Sequence, residues 1–187
     1  MKRRNSSIGL LALASIFAVT AVASADVIRG NNSDNRLVGT NQQDQIRGLG
    51  GQDKLSGRDK HDELVGGTGD DKALGQLGGD TLRGGSGDDL LRGGDQGDYA
   101  FGNQGNDIIS GNERADFIHG GPGADIIVGG PGIDTFEGGS GNDRIITFDN
   151  RDGSGIPDVI DCGPGLDRAE IDSSDQPPEN CERVEVQ

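Results

Sequence analysis

From Gly30 to Ile146 the chain keeps a nine-residue register through thirteen consecutive units, with no insertion or deletion. Each unit opens on Gly, from Gly30, Gly39 and Gly48 onward to Gly138, and carries an apolar residue at its eighth position, from Leu37 to Ile145. The sixth position is Asp in twelve units and Asn35 in the first. A short fixed period leaves few architectures open. A nine-residue unit cannot bury its one apolar side chain alone, so neighbours must stack. Composition adds the same constraint: 35 Gly, no Trp and 3% aromatic residues cannot fill a thick globular core.

Within a unit, six positions rich in Gly, Asp and Asn precede an x-apolar-x stretch, the pattern of a turn followed by a very short strand. Two units make one coil with two strands facing each other. The fold class expected is all-β, a right-handed parallel β-roll (a β-solenoid) of about thirteen nonapeptide repeats, in which eighth-position side chains meet between two sheets. Consecutive units fall on opposite edges, so the acids form two columns. One edge, the odd one, holds Asp53, Asp71, Asp89, Asp107, Asp125 and Asp143. The even edge holds Asp44, Asp62, Asp80, Asp98, Asp116 and Asp134.

Carboxylates one coil apart repel. At an effective dielectric of about 20, two charges roughly 5 Å apart cost about 3 kcal/mol. The core is thin, and two of its eighth-position residues are only Ala73 and Ala100. A hard divalent cation held by Asp oxygens and loop carbonyls supplies the missing attraction. Oxygen ligands without His or Cys favour Ca²⁺ over zinc or copper, and a flexible Gly-rich loop favours it over Mg²⁺. Several calcium ions are therefore expected, with these twelve Asp residues as candidate ligands. The alternative is an ion-free solenoid whose Asp residues cap turns.

Units such as Gly66-Gly67-Thr68-Gly69-Asp70-Asp71-Lys72-Ala73-Leu74 and Gly138-Gly139-Ser140-Gly141-Asn142-Asp143-Arg144-Ile145-Ile146 resemble the Gly-Gly-x-Gly-x-Asp-x-apolar-x nonapeptide of repeats-in-toxin proteins. This is the hemolysin-type calcium-binding repeat family, and the resemblance covers residues 30–146. It implies a calcium-loaded β-roll. Many relatives carry such repeats attached to a protease, lipase or toxin domain. Here the repeats begin five residues after residue 25, so pore formation and proteolysis do not carry over.

The two edges differ at the fourth position. On the odd edge it is Gly in every unit after the first: Gly51, Gly69, Gly87, Gly105, Gly123 and Gly141. On the even edge it is Gln42, Lys60, Gly78, Gln96, Arg114 and Gly132. Bulky or cationic residues there restrict the turn, which predicts tighter calcium binding in the odd column. Equal edges, with backbone carbonyls dominating, are the alternative.

The first 25 residues read separately. Lys2, Arg3 and Arg4 precede an uncharged apolar stretch from Ile8 to Val22, and Ala23-Ser24-Ala25 is a small-x-small cleavage site. This is the pattern of a secretory signal peptide, with an uncleaved anchor as the alternative. The domains expected are 1–25 signal peptide, 26–146 calcium-binding roll and 147–187 C-terminal cap, giving an extracellular protein with no transmembrane segment in its mature chain. Loss of three cations takes the formal charge from −15 to −18. Such acidity excludes a nucleic-acid partner and argues against anionic lipid.

After Ile146 the register is lost. Asp158-Val159-Ile160-Asp161-Cys162 and Asp167-Arg168-Ala169-Glu170-Ile171-Asp172 each look like a short strand, and the tail is read as a cap over the open end of the roll. In an exported chain, Cys162 and Cys181 are expected to pair. Closing a loop of about 20 residues is worth roughly 3 kcal/mol. Phe148-Asp149-Asn150-Arg151-Asp152-Gly153 resembles a linear calcium loop only faintly and is read as a turn.

No catalytic constellation emerges. His61-Asp62-Glu63 lies in a repeat turn, His119 holds an outward ninth position, and no Gly-x-Ser-x-Gly elbow exists. The reading is a secreted calcium-ion-binding roll, not an enzyme, which folds when the ion binds and serves as an extracellular structural or binding module. The rival is an accessory or catalytic component of a secreted hydrolase or carbohydrate-modifying enzyme. Outward apolar residues cluster toward the C-terminal half: Leu90, Ile108, Ile126 and Val128 on one sheet, and Tyr99, Phe101, Phe117 and His119 on the other. They are either a surface for a cell-surface or matrix partner or the seat of the tail.

Overall fold

The computed structural model describes residues 27–147, 157–175, 177–178 and 180–186. Odd-numbered strands build one sheet: β1 (Val27–Arg29), β3 (Gln45–Gly50), β5 (Glu63–Thr68), β7 (Thr81–Ser86), β9 (Tyr99–Gln104), β11 (Phe117–Pro122), β13 (Thr135–Ser140) and β15 (Val159–Asp161). The other sheet runs from β2 (Arg36–Val38) through β4 (Lys54–Asp59), β6 (Lys72–Leu77), β8 (Leu90–Asp95), β10 (Ile108–Asn112), β12 (Ile126–Val128), β14 (Arg144–Ile146) and β16 (Arg168–Ile171) to β17 (Arg183–Val186). Neighbours in each sheet pair in parallel, one coil apart, as a parallel β-roll requires. Among the described residues no helix is long and apolar enough to cross a membrane.

The core is two facing columns of eighth-position side chains. In the first sheet Ile28, Ile46, Leu64, Leu82, Ala100, Ile118, Phe136 and Ile160 stand in register. In the second, Leu37, Leu55, Ala73, Leu91, Ile109, Ile127, Ile145, Ala169 and Val184 do the same. From Ile46 to Ile145 these side chains are almost wholly buried. The core is one side chain thick, so each coil leans only on its neighbours.

Most strands run longer than the three residues expected. In β4, for example, the buried residues are Leu55 and Gly57, so the strand passes through the opening glycine of the next unit and ends at the third position. The turn shrinks to positions four to six. The opening glycine makes this possible: it faces inward with no side chain, and the carboxylate of its own unit fills the space beneath it. A Cβ on Gly66 would lie 2.3 Å from Asp71 Oδ2.

Both ends of the roll extend beyond the thirteen units. Strand β1 precedes Gly30, and Ile28 pairs with Ile46 in the core although its unit lacks an opening Gly. At the other end, the expectation that the register ends at Ile146 needs correction. It is interrupted by six extra residues and then resumes: β15 pairs with β13, β16 with β14 and β17 with β16. The roll has about eight coils instead of six and a half. Its cap is therefore built from further coils, with Cys162 and Cys181 joined by a disulfide, their Cα atoms 5.5 Å apart. The described tail strands lengthen the stack and leave the outward apolar residues uncovered: Tyr99 is 57% exposed and Ile108 48%. The stretch Phe148–Gly153 lies outside the described residues.

Candidate metal centre

Each sixth-position Asp sits where the turn re-enters a strand, with its side chain pointing inward. The main-chain N–H of Asp53 donates to Oδ1 of Asp71, one coil on, at 2.7 Å. The contact repeats down the odd column from Asn35 to Asp143 at 2.7–2.9 Å. The even column does the same from Asp44 to Asp134 at 2.6–2.8 Å. The structure thus gathers all twelve sequence-predicted residues into two buried ladders. In every rung the amide of the earlier coil enters the carboxylate of the later one.

The second oxygen is different. Oδ2 of Asp53, Asp71, Asp89, Asp107, Asp125 and Asp143, and of Asp62, Asp80, Asp98 and Asp116, is buried without a hydrogen-bond partner. A buried carboxylate oxygen left unbonded is costly and needs a reason. Asp44 is the exception, since its Oδ2 accepts the N–H and hydroxyl of Thr40 at 2.5 and 2.9 Å. The space over the opening glycines, Gly111 and Gly129 excepted, is bounded by oxygen on two sides. At Gly48 a Cβ would lie 2.1 Å from Asp53 Oδ2 and 2.5 Å from the Gly66 carbonyl oxygen of the next coil. No three His, Cys, Asp or Glu side chains gather as a cluster among the described residues. A bound ion must then draw on one carboxylate per coil and on main-chain carbonyls, an all-oxygen set that fits Ca²⁺ and does not fit zinc.

Burial raises the carboxylates well above the usual range. Asp62, Asp89, Asp98 and Asp125 are pushed up to about 7 and Asp116 to about 8. For Asp116 the first cause is loss of solvent; the Asp98 N–H opposes it, and the charges of Asp134 and Asp98 add to it. Asp71 and Asp80 reach about 6. These are groups that resist holding a bare negative charge and favour a counter-ion.

The edges keep the same ladder but reach it at different cost. On the odd edge the fourth position is Gly with φ of 94° to 158°. On the even edge Lys60, Gln96 and Arg114 take the same turn at φ of 75° to 76°, left-handed backbone that a residue with a Cβ adopts only under strain. The odd edge also carries a second, exposed column at the fifth position. There the N–H of Asp88 donates to Asp70, that of Asn106 to Asp88 and that of Ala124 to Asn106, at 2.7–3.1 Å. These rungs run the opposite way, from the later coil to the earlier. The even edge has one comparable contact among the described residues, the Gly79 N–H to His61 Nδ1 at 3.0 Å.

Two ladder residues escaped sequence reasoning. Asp158 accepts the N–H of Asp134, and Asp167 that of Asp143, each at 2.8 Å. The signal was present: Cys162-Gly163-Pro164-Gly165-Leu166-Asp167-Arg168-Ala169-Glu170 is a full unit with Cys in place of the opening Gly. Beyond it, Asp175 and Glu182 end the two columns by accepting from Asp158 and Asp167. His61 serves the turn, and His119 lies 3.0 Å from Glu137 on the outer face.

The family described as the RTX calcium-binding nonapeptide repeat (4 copies) matches the chain in overlapping stretches, 20–55, 29–64, 47–82, 56–91, 65–100, 74–109, 101–136 and 128–152. No curated protein matches the chain.

Proposed function

This chain belongs to the RTX calcium-binding nonapeptide repeat family and binds Ca²⁺ at several sites; from that premise we propose that it is an exported module whose roll closes when calcium reaches it. Proteins of this family are generally secreted, and the first 25 residues have the charge and hydropathy pattern of a signal peptide. The observation that carries the reading is the run of buried, unbonded Oδ2 atoms in both columns. When bound, calcium supplies the positive charge that stacked carboxylates lack.

The chain's own residues do the rest. In Asp53, Asp71, Asp89, Asp107, Asp125, Asp143, Asp62, Asp80, Asp98 and Asp116, Oδ1 orients the carboxylate by holding the amide of the preceding coil, which leaves Oδ2 free for the ion. The opening glycines leave room for that oxygen, and fourth-position glycines on the odd edge let the turn form without strain. Without the ion, the ladders stack acid on acid over a core one side chain thick, and the unfolded chain wins. Extracellular calcium modules bind in the range of about 10⁻⁴ to 10⁻³ M, so the roll stays open in a low-calcium cytosol and closes after export. Its role is that of a structural or binding module, with exposed Tyr99 and the half-buried Phe101 and Phe117 beside it offering a partner surface.

Circular dichroism of the chain from Asp26 onward, titrated with calcium and then with chelator, tests this. The expected result is a β signal that appears with the ion and disappears with the chelator. A signal indifferent to both would overturn the reading.

A further inference from the structure

The outward face of the second sheet is made of seventh- and ninth-position side chains. From β2 to β14 these positions hold no Asp or Glu, in a chain with 32 acidic residues. Their seventh positions form one in-register row. Arg36, Lys54 and Lys72 stand side by side on β2, β4 and β6. Leu90, Ile108 and Ile126 continue it on β8, β10 and β12. Arg144, Arg168 and Arg183 complete it on β14, β16 and β17. Three aliphatic side chains lie between two sets of three cations.

The two sets are not equivalent. Glu170 and Glu185 pair with Arg144, Arg168 and Arg183. Arg36, Lys54 and Lys72 are exposed and enter no ion pair among the described residues. Arg92 adds a fourth exposed cation beside Leu74 in the ninth-position row. Between β2 and β14 carboxylates return at the edge of the face, at Asp59 and Asp95, the last residues of β4 and β8, and at Glu113 just past β10; beyond β14 they are Glu170 and Glu185. The central side chains reach solvent, Ile108 at 48% and Ile126 at 37% exposure.

We propose that this face docks the protein on the anionic headgroup surface of a lipid bilayer, with Arg36, Lys54, Lys72 and Arg92 on the phosphates and Leu90, Ile108 and Ile126 at the hydrocarbon boundary. Charge complementarity selects the headgroups, and the aliphatic centre selects a bilayer over an acidic polysaccharide, which would leave those three side chains facing water. A face about 38 Å long, at about 4.8 Å per strand, suits a planar target. The acidity of the whole chain argues against anionic lipid only if charge is spread evenly. Here most carboxylates lie in the buried columns, along the turns or on the opposite sheet (Glu63, Glu137 and Asp161), and those on this sheet past β14, Glu170 and Glu185, are paired with arginines. With a Debye length of about 8 Å the free cations of the face govern a close approach. The inference deepens the surface-module reading by naming the partner of one face; calcium-triggered folding stands or falls separately, by its own dichroism signal.

Sedimentation of the calcium-loaded exported protein with vesicles tests it. One set is phosphatidylcholine alone, the other phosphatidylcholine with an equal part of phosphatidylglycerol, at the same calcium concentration. The protein is expected to bind only the second set, more weakly as salt rises. The variant Arg36→Gln/Lys54→Gln/Lys72→Gln should lower partitioning roughly a hundredfold, at about fivefold per cation. Ile108→Ser/Ile126→Ser should lower it on the order of tenfold. The variant Arg29→Gln/Arg47→Gln/Arg83→Gln, on the opposite sheet, should leave it unchanged, which separates a specific face from calcium bridging. Far-UV dichroism in calcium confirms that each variant is folded. Absence of binding by the unaltered protein overturns the proposal without recourse to any variant. So does equal loss from both triple variants, or binding to alginate in place of vesicles.

Discussion

The main-chain N–H of Asp143 donates to Oδ1 of Asp167 at 2.8 Å across 24 residues of sequence, where every earlier contact in that column spans 18. Six inserted residues are thus accommodated without a break in the ladder, and the tail inherits the chemistry of the repeats. Asp167→Ala should leave the Asp143 amide buried with no acceptor and cost about 1–3 kcal/mol. Denaturant unfolding in saturating calcium measures this. Glu113→Ala, on an exposed turn, is expected to change stability by less than about 0.5 kcal/mol. Equal values for the two would remove Asp167 from the ladder.

Two glycines two residues apart should respond very differently to an added methyl group. At Gly48 a Cβ would meet Asp53 Oδ2 at 2.1 Å and the Gly66 carbonyl at 2.5 Å. At Gly50 its nearest neighbour would be the Thr68 hydroxyl oxygen at 3.0 Å. Gly48→Ala should therefore raise the calcium midpoint by on the order of tenfold or more, about 1.4 kcal/mol per decade. Gly50→Ala should lie near the unaltered protein. Calcium titration followed by dichroism decides, and a reversed order would refute the oxygen-lined space over the opening glycine.

Protons should partly replace calcium. The folded-state values of about 6 to 8 for Asp62, Asp71, Asp80, Asp89, Asp98, Asp116 and Asp125 lie above the ordinary 3.8. The folded chain then binds more protons than the unfolded one, so this contribution is complete below about pH 4 and is lost as pH rises through 6 to 8. In chelator, the chain should show more β structure near pH 5 than near pH 8.5, whereas in saturating calcium the profile should be flat over that range. Identical calcium-free spectra at both ends would contradict the burial of the ladder.

The even edge should bind calcium more weakly because three of its turns are strained. Lys60, Gln96 and Arg114 hold φ near 75° without the freedom of glycine. Replacing all three by Gly should relieve about 1 kcal/mol per turn and bring the even sites toward the odd ones. Calorimetry is expected to resolve two classes of site in the unaltered protein and to see them converge in the variant. One class from the start would dispose of the asymmetry.

Much of this molecule was legible in the sequence because its period and its acid coincide. A residue that recurs every nine positions without slippage can only mark a stacked coil, and Asp at a fixed place in each turn can only form columns. What the period did not show lay where a unit broke its own rule. Ile28 has no opening Gly before it, and Asp158 follows six additional residues. Asp167 sits in a unit that begins with Cys162 instead of Gly. The strands outrun the pattern for a different reason: glycine has little propensity for strands, and the carboxylate packed beneath it explains why the strand passes through.

The opposed directions of the two columns on the odd edge give its coils an unequal resilience. Loss of the Asp107 carboxylate strips the amide of Asp89, upstream, while Asp107's own amide still reaches Asp125. On that side the outer column, where Asn106 leans back on Asp88, holds the same pair of coils together from the other sense. Around Asp98 and Asp116 no side-chain rung of that sense exists among the described residues, so a fault there meets main-chain contacts alone, such as Phe117 N–H to the Asp98 carbonyl, on its way toward the end of the chain that was synthesised first.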